Sequence, residues 1–244
     1  MRRILALHTS THDPEESSSA ALTRAALVGL KRLSPSAEVK WVNVANLEIS
    51  PNLSCYAGGK SNCGDPESGP YRCWAHHKSE GRDEMPIVYD GLEWADTVII
   101  STSNRWGSHT AAAQTMIERM NTLENRGSSL GEGYPLLGKR LGIVVTGLHW
   151  RTAEVGQRLR ETLEWWGFAT QPDGGNVLAW QRSRDPFFEH PDNDAPHLER
   201  WVLTPRGTEM VESFCSSVAR AKTIRVLDGA RRAGVRSPGK PPAA

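Results

Sequence analysis

The stretch Thr97-Val98-Ile99-Ile100-Ser101, running on into Thr102-Ser103-Asn104-Arg105-Trp106-Gly107-Ser108, decides the fold. A short apolar run that ends in small hydroxyl residues and a glycine has the form of a strand buried on both faces that opens into a loop. Upstream, residues 87–95 read as a short helix whose apolar members are Ile87, Tyr89, Leu92 and Trp94. Downstream, residues 110–123 are rich in Ala and Met and read as a second helix. A strand set between two helices is the repeating unit of a parallel sheet.

The rest of the chain repeats that unit. Arg3 to His8 is another short apolar run, and residues 9–19 form a loop of Ser, Thr, Asp and Pro. Ser17-Ser18-Ser19 can cap the helix that follows, where Leu22, Ala26, Leu30 and Leu33 share one face. Residues 39–44 alternate as a second strand. Residues 46–86 turn to Gly, Pro, Cys, Ser and charge without a period, which marks a long irregular insertion. Beyond the central strand come a glycine-rich loop (126–137), a buried strand (141–145) and an amphipathic helix (152–166) stopped by Gly167. A fifth strand (176–180) and a last helix from Thr204-Pro205 to about residue 221 complete the series. The fold class is therefore α/β. Five such strands point to a flavodoxin-like three-layer sandwich, a parallel sheet of order 2-1-3-4-5 with the insertion after strand 2. Residues 1–225 are read as one domain, and 226–244 as a disordered basic tail.

Composition narrows the functions. The 244 residues carry 29 Lys and Arg against 28 Asp and Glu. A net charge of +1 argues against electrostatic clamping of nucleic acid and against a strongly acidic electron carrier. The apolar stretch at the start breaks at His8-Thr9-Ser10, shorter than the roughly 7–15 residues of a signal core. No run reaches the length of a membrane span. The expectation is a cytoplasmic protein with no membrane or nucleic-acid partner.

In a sheet of this order ligands sit beyond the carboxyl ends of the strands, at the switch between strands 1 and 3. The loops to inspect are 9–19, 102–108 and 146–150. Ser10, Thr11, Ser17, Ser18 and Ser19 precede a helix N-terminus, where free N–H groups and partial positive charge favour a phosphate. The spacing fits neither a nucleoside-triphosphate P-loop nor a dinucleotide fingerprint, which leaves a monophosphate.

These residues resemble the NADPH-dependent FMN reductase family. Ser17-Ser18-Ser19-Ala20-Ala21-Leu22 after a Ser/Thr loop is similar to its phosphate loop, G-S-P-R-x(n)-S-N-T-x-x-L. Residues 102–108, then Gln114-Thr115-Met116-Ile117-Glu118-Arg119, are similar to T-P-x-Y-W-G-S and K-x-F-I-D-R. Gly138-Lys139, Thr146-Gly147 and Trp166-Gly167 match further landmarks in order, over roughly residues 2–170. Thr9-Ser10-Thr11-His12 stands where the family has G-S-P-R, so the phosphate-facing arginine is missing. Ser103 replaces a proline, Gln114 a lysine, and Leu148-His149-Trp150 further glycines.

The resemblance implies bound FMN and NADPH or NADH as electron donor. It implies a free flavin, a quinone or another small aromatic as acceptor, and a homodimer or homotetramer. The phosphate would sit on Ser10, Thr11, Ser17, Ser18 and Ser19. The ring system would lie against Ser103, Asn104, Arg105, Trp106 and Gly107, with backbone N–H groups of residues 104–107 facing its edge. Thr146, Gly147, Leu148 and His149 would flank its other side, with His149 a candidate proton donor. Trp106 packs beside the ring, or else in the core or a subunit interface. The rival readings are a carrier without NAD(P)H activity, a regulatory or metal-binding module that has lost FMN, and a dedicated flavoenzyme acting on one biosynthetic intermediate.

The insertion carries Cys55, Cys63 and Cys73, with His76 close behind. Thiolates and imidazoles suit zinc, yet no CxxC knuckle is present. A four-cysteine iron–sulfur cluster would have to recruit Cys215 from the last helix. The expectation is no metal. The insertion then covers the flavin or builds an interface, with Tyr71 and Trp74 placed for a lid.

Overall fold

The central strand, β3 (Thr97–Ser103), is buried along all but its last residue. It lies between β1 (Arg3–His8) and β4 (Arg140–Gly147), parallel to both, with Ile99 opposite Ala6 on one side and Gly142 on the other. β2 (Glu38–Asn43) is a half-exposed edge beyond β1, and β6 (Val177–Gln181) pairs with β4. These five strands have the expected order. The computed structural model describes residues 1–55, 63–128, 130–148, 150–182 and 195–223.

Side chains alternate between two cores, as the two-residue strand period requires. Leu5, Leu7, Val98, Ile100, Leu141, Ile143 and Val145 face α3 (Met85–Trp94), α4 (Ala111–Ser128) and α5 (Thr152–Trp165). Ile4, Ala6, Ile99 and Val144 face α1 (Ser18–Leu33), α6 (Ala195–Val202) and α7 (Pro205–Arg220). Gly142 belongs to this second face. A Cβ there would stand 2.7 Å from Phe214 Cζ and 2.6 Å from Ile99 Cδ1, so the glycine lets α7 pack on the sheet.

The helices begin and end where their sequences say. Ser17 caps α1 by accepting from the Ala20 N–H, and Thr204 caps α7 ahead of Pro205. Gly167 follows α5 with φ +98°, which the left-handed turn demands.

The structure adds to the sequence reading in four places. Two-residue strands β5 (Ala169–Thr170) and β7 (Lys222–Thr223) pair antiparallel beside β4, making the sheet seven-stranded. The insertion is not wholly irregular, for it holds a short helix, α2 (Trp74–Lys78). α4 extends into the expected glycine-rich loop. α6 arises from a segment without a clear sequence signal. The basic tail at 226–244 lies outside the described residues. No helix among the described residues is long and apolar enough to cross a membrane.

Candidate cofactor crevice

β1, β3 and β4 end together, and three hydroxyls bind their loops into one rim. The Thr9 N–H and Oγ1 both donate to the Ser101 carbonyl at 2.9 Å. Thr110 Oγ1 donates to the Thr9 carbonyl at 2.9 Å, and the Thr110 N–H donates to Thr102 Oγ1 at 3.2 Å. Thr110 also caps α4 by accepting from the Ala113 N–H. The first loop is thus fixed to the second by hydrogen bonds.

Asn104 ties the second loop to the third. Its N–H donates to the Thr146 carbonyl at 2.7 Å, its Nδ2 donates to the Trp150 carbonyl, and its Oδ1 accepts from the Gly107 N–H at 2.9 Å. Residues 105–108 form a tight hairpin closed by reciprocal bonds between Arg105 and Ser108. Its two central residues have positive φ, +54° at Trp106 and +79° at Gly107. Glycine accepts that geometry; tryptophan is strained in it. Trp106 stands 94% exposed at the tip. Trp150 is about half exposed nearby, with the Arg151 guanidinium 4.6 Å above its ring. A Cβ on Gly107 would touch both Arg151 and Trp150, which places this pair against the hairpin.

The phosphate-loop side is built differently. His8, the last residue of β1, is fully buried. Its Nε2 lies 3.0 Å from Ser19 Oγ and 3.3 Å from Ser17 Oγ, and the two hydroxyls are 2.9 Å apart. The side chain of Asn43, opposite His8 on β2, also lies within reach of the ring. Burial pushes the imidazole down to about 4, with Arg24's charge adding and the neighbouring Asn43 side chain opposing, so His8 is neutral at ordinary pH. The N–H groups of Ser18 and Ser19, the first two residues of α1, have no acceptor within the helix. Asp13 is occupied in capping its own turn, and Glu15 points outward.

Those of the sequence-expected residues that are described therefore border one crevice. Ser10, Ser17 and Ser19 are almost fully buried, Ser18 is partly so, and Thr11 is exposed. Of the four backbone N–H groups from 104 to 107, those of Asn104, Arg105 and Gly107 are consumed inside the rim, leaving only Trp106's. The rim must close on itself to hold the hairpin, and this uses up the donors. Trp106 is not a core residue. Thr146 is buried, and Gly147 is required, because a Cβ there would meet Thr152 Oγ1 at 2.2 Å. Leu148 is exposed, and His149 lies outside the described residues. His8 and Arg151 were missed by the sequence reading. A histidine closing an apolar strand just before a hydroxyl-rich loop was the available signal for the first.

The described part of the insertion lies along α4 rather than at the strand ends. Arg119 holds Asp83 through two bonds, 2.8 and 2.7 Å, and also reaches the Ser50 carbonyl at 2.6 Å. Asn52 donates to the Glu118 carbonyl, Thr122 to the Arg72 carbonyl and Asn125 to the Cys63 carbonyl. These anchors descend α4 away from its N-terminus, which is the end at the crevice. Tyr71 stacks on Tyr89 and edges His76, while Trp74 edges His77, so both expected lid residues pack within this region. An open concavity of about 560 Å³ lies here too, between Ile49, Leu53, Ala75 and Arg82, on the insertion itself.

Among the described residues no three of His, Cys, Asp and Glu are grouped to hold a metal. His76 faces Asp83 at 3.3 Å. Cys73 belongs to one core and Cys215 to the other, with the sheet between them, so a four-cysteine cluster cannot form. Burial pushes Cys63 up to about 11 and Cys215 up to about 12, far from thiolate.

A doubly wound parallel sheet of this strand order, with three hydroxyl-rich loops and a helix N-terminus at its switch point, defines a flavodoxin-like fold. The sequence profile of the NADPH-dependent FMN reductase family matches residues 2–181, and the chain belongs to that family. Solved structures agree in fold. RosB with the bound intermediate 8-demethyl-8-formylriboflavin-5′-phosphate superposes with TM-score 0.70 at 17% identity, covering 100% of this chain and 94% of RosB. The FMN complex of an FMN-dependent NADH-azoreductase from Bacillus anthracis gives 0.52 at 11% identity over 90% of this chain and 100% of its own. The NADH:FMN oxidoreductase EMOB, in its apo form, gives 0.51 at 16% over 89% and 90%. No curated protein matches the chain.

Proposed function

We propose that the crevice binds FMN and that the protein is an oxidoreductase using NADPH or NADH as donor and a small aromatic molecule as acceptor. The observation that carries this reading is the seat at the start of α1. Two N–H groups without an acceptor in the helix and the buried Ser17–Ser19 pair lie together there. That donor set suits a phosphate monoester, and the helix dipole supplies the positive potential. FMN, when bound, supplies two-electron hydride chemistry.

The chain's own residues do the positioning. Thr9, Thr102 and Thr110 hold the phosphate loop to the central strand. Asn104 and Gly147 set the distance between the second and third loops. Trp106 and Trp150 offer exposed aromatic faces on which a flat acceptor or the donor's nicotinamide can stack. Arg151, held over Trp150, gives the same wall a cation for an acidic substrate.

A second reading has one observation in its favour. The RosB likeness runs the whole length of this chain, and that structure holds a modified flavin phosphate as an intermediate. In this reading the phosphate seat takes a flavin as the reacting molecule.

The test is an anaerobic absorption titration with FMN and then NADPH or NADH. Bound flavin that bleaches supports the reductase. Bound flavin that stays oxidised with both nucleotides refutes it in favour of a carrier or an enzyme that modifies flavin. Product analysis by mass spectrometry separates those two.

A further inference from the structure

A second helix opens at the same rim, and its first turn is uncapped. α1 and α7 each begin on a hydroxyl that accepts an N–H of the first turn. α5 begins on Arg151, whose side chain makes no capping bond and whose φ of +58° is left-handed. The first helical bond runs from the Val155 N–H to the Arg151 carbonyl, so the N–H groups of Thr152, Ala153 and Glu154 have no acceptor among the described residues. The hydroxyl of Thr152 is a second, independent observation. Thr152 is 1% exposed, and its Oγ1 has no hydrogen-bond partner. It lies against Gly147, where the second and third loops meet beside Asn104. Buried hydroxyls are nearly always bonded, so an unpartnered one at an uncapped helix start marks a binding position.

The charges around this turn favour an anion. Arg151 holds its guanidinium 4.6 Å from the Trp150 ring, and neither it nor Arg105 on the facing hairpin has a carboxylate partner among the described residues. The one carboxylate of the first turn, Glu154, is exposed. A Cβ on Gly107 would meet Arg151 Cδ at 3.3 Å and Trp150 Cη2 at 3.8 Å, so the hairpin that carries Trp106 touches the turn that carries Arg151. The guanidinium covers one face of Trp150, which leaves the exposed Trp106 as the open ring. An aromatic face, a guanidinium and the positive end of a helix thus adjoin.

We propose that the start of α5 is a second oxyanion seat, and that the acceptor is a flat aromatic molecule carrying a carboxylate or a sulfonate. Its acid group is held by the Arg151 guanidinium, the first N–H groups of α5 and the Thr152 hydroxyl, and its ring lies against Trp106. The guanidinium offers a planar pair of donors that matches such a group. This seat is distinct from the one at α1. The strands that lead into the two helices, β1 and β4, are separated by β3, and α1 and α5 pack on opposite faces of the sheet. The inference rests on the reductase reading for the ligand's role as acceptor. The seat itself needs no flavin, because every group in it belongs to the third loop, α5 and the hairpin.

The experiment measures, by calorimetry, binding of naphthoate and of its neutral isostere naphthamide to the FMN-loaded protein. Wild type is compared with Arg151→Gln, Arg151→Lys, Thr152→Val and Trp106→Gly. Wild type is expected to prefer the acid about tenfold, the scale of one hydrogen bond to a charged group. Arg151→Gln should lose most of that preference, and Thr152→Val should reduce it about threefold. Arg151→Lys, which keeps the charge without the fork, should recover part of it. Trp106→Gly should weaken acid and amide alike, because it removes the ring contact only. A wild type that binds the two equally overturns the proposal, and so does an Arg151→Gln or Thr152→Val that keeps the full preference. An Arg151→Gln that raises KM for NADH and spares naphthoate also overturns it, because the seat would then serve the donor. If the protein takes up no FMN, or if bound FMN is not reduced, the reductase reading falls by itself. The same titrations on the unloaded protein then decide whether the seat stands.

Discussion

Two buried polar networks lie on opposite sides of this molecule's purpose. Arg119–Asp83, on the face of α4, is almost saturated. Asp83 receives both Arg119 nitrogens and the Ser50 N–H, and Arg119 adds the Ser50 carbonyl, leaving only its Nε without a partner. His8, Ser19 and Ser17, under the crevice, form a network that carries no charge at ordinary pH. A closed network with paired charges holds parts of a protein together. A neutral network of hydroxyls beside a helix N-terminus places groups at the crevice that can both donate and accept. The difference separates what fastens the insertion from what serves the site, although both regions drew attention in the sequence.

The largest effect should come from opening the closed network. Arg119→Ala leaves the Asp83 carboxylate buried and unpaired, and should cost about 3–5 kcal/mol in denaturant unfolding. Replacing both residues with apolar ones of similar size should cost much less than either single change. Burial alone would raise the Asp83 carboxyl, but Arg119 and the Ser50 N–H outweigh it and hold it below the usual carboxylate range. The bridge's contribution is therefore present above that range and fades as the pH falls through it. If Arg119→Ala unfolds no more easily than wild type, the network does not fasten the insertion and the comparison fails.

The neutral network should titrate in a different window. A histidine held down to about 4 when folded, against roughly 6.5 when unfolded, stabilises the protein only while neutral. Its contribution, about 3 kcal/mol for the full shift, is present above pH ~6.5 and is lost as the pH falls to about 4. Thermal unfolding of His8→Gln should show a shallower loss across that interval than wild type. Equal slopes would mean that His8 is not the neutral buried group described.

What could be read from sequence divides along the same line. β1, β3 and β4 were legible because parallel strands covered on both faces are continuous apolar runs. The three loops followed from topology alone. β5 and β7 were not legible, since two residues carry no period. Arg119 was visible as part of a helix motif, but not its burial, because its partner sits 36 positions away, on the insertion. His8 looked like the polar residue that ends a strand. Nothing local tells that Trp41, two serines and Arg24 close over it. The donors of residues 104–107 were misassigned for a similar reason. Their use depends on Thr146 and on the hairpin closing upon itself, and both are long-range facts.

The rim between the networks offers a smaller, sharper test. Gly147→Ala places a Cβ 2.2 Å from Thr152 Oγ1 and 3.1 Å from Asn104 Cβ. Either α5 or the Asn104 loop must yield, at about 1–3 kcal/mol of stability. FMN affinity should fall along with it, because Asn104 sets the spacing of two of the three loops. Normal affinity in a destabilised Gly147→Ala would detach this rim from the site.

The smallest expected change in stability belongs to Trp106, and it should be the most telling about function. A left-handed conformation costs a non-glycine residue about 1–3 kcal/mol, and this one is 94% exposed, so no burial offsets the strain. Glycine fits the turn but has more chain entropy to lose, about 0.5–1 kcal/mol. Trp106→Gly should therefore keep or raise stability, typically by about 1 kcal/mol and at most by about 2.5 kcal/mol on balance. If the tryptophan is retained as a stacking face, the same substitution should raise KM for the aromatic acceptor while FMN affinity, proposed to be set by the serines at the start of α1, stays unchanged. A variant that gains stability and loses nothing would leave the strain at residue 106 without a function in the monomer. It would also move Trp106 from the wall of the site to a contact with another chain.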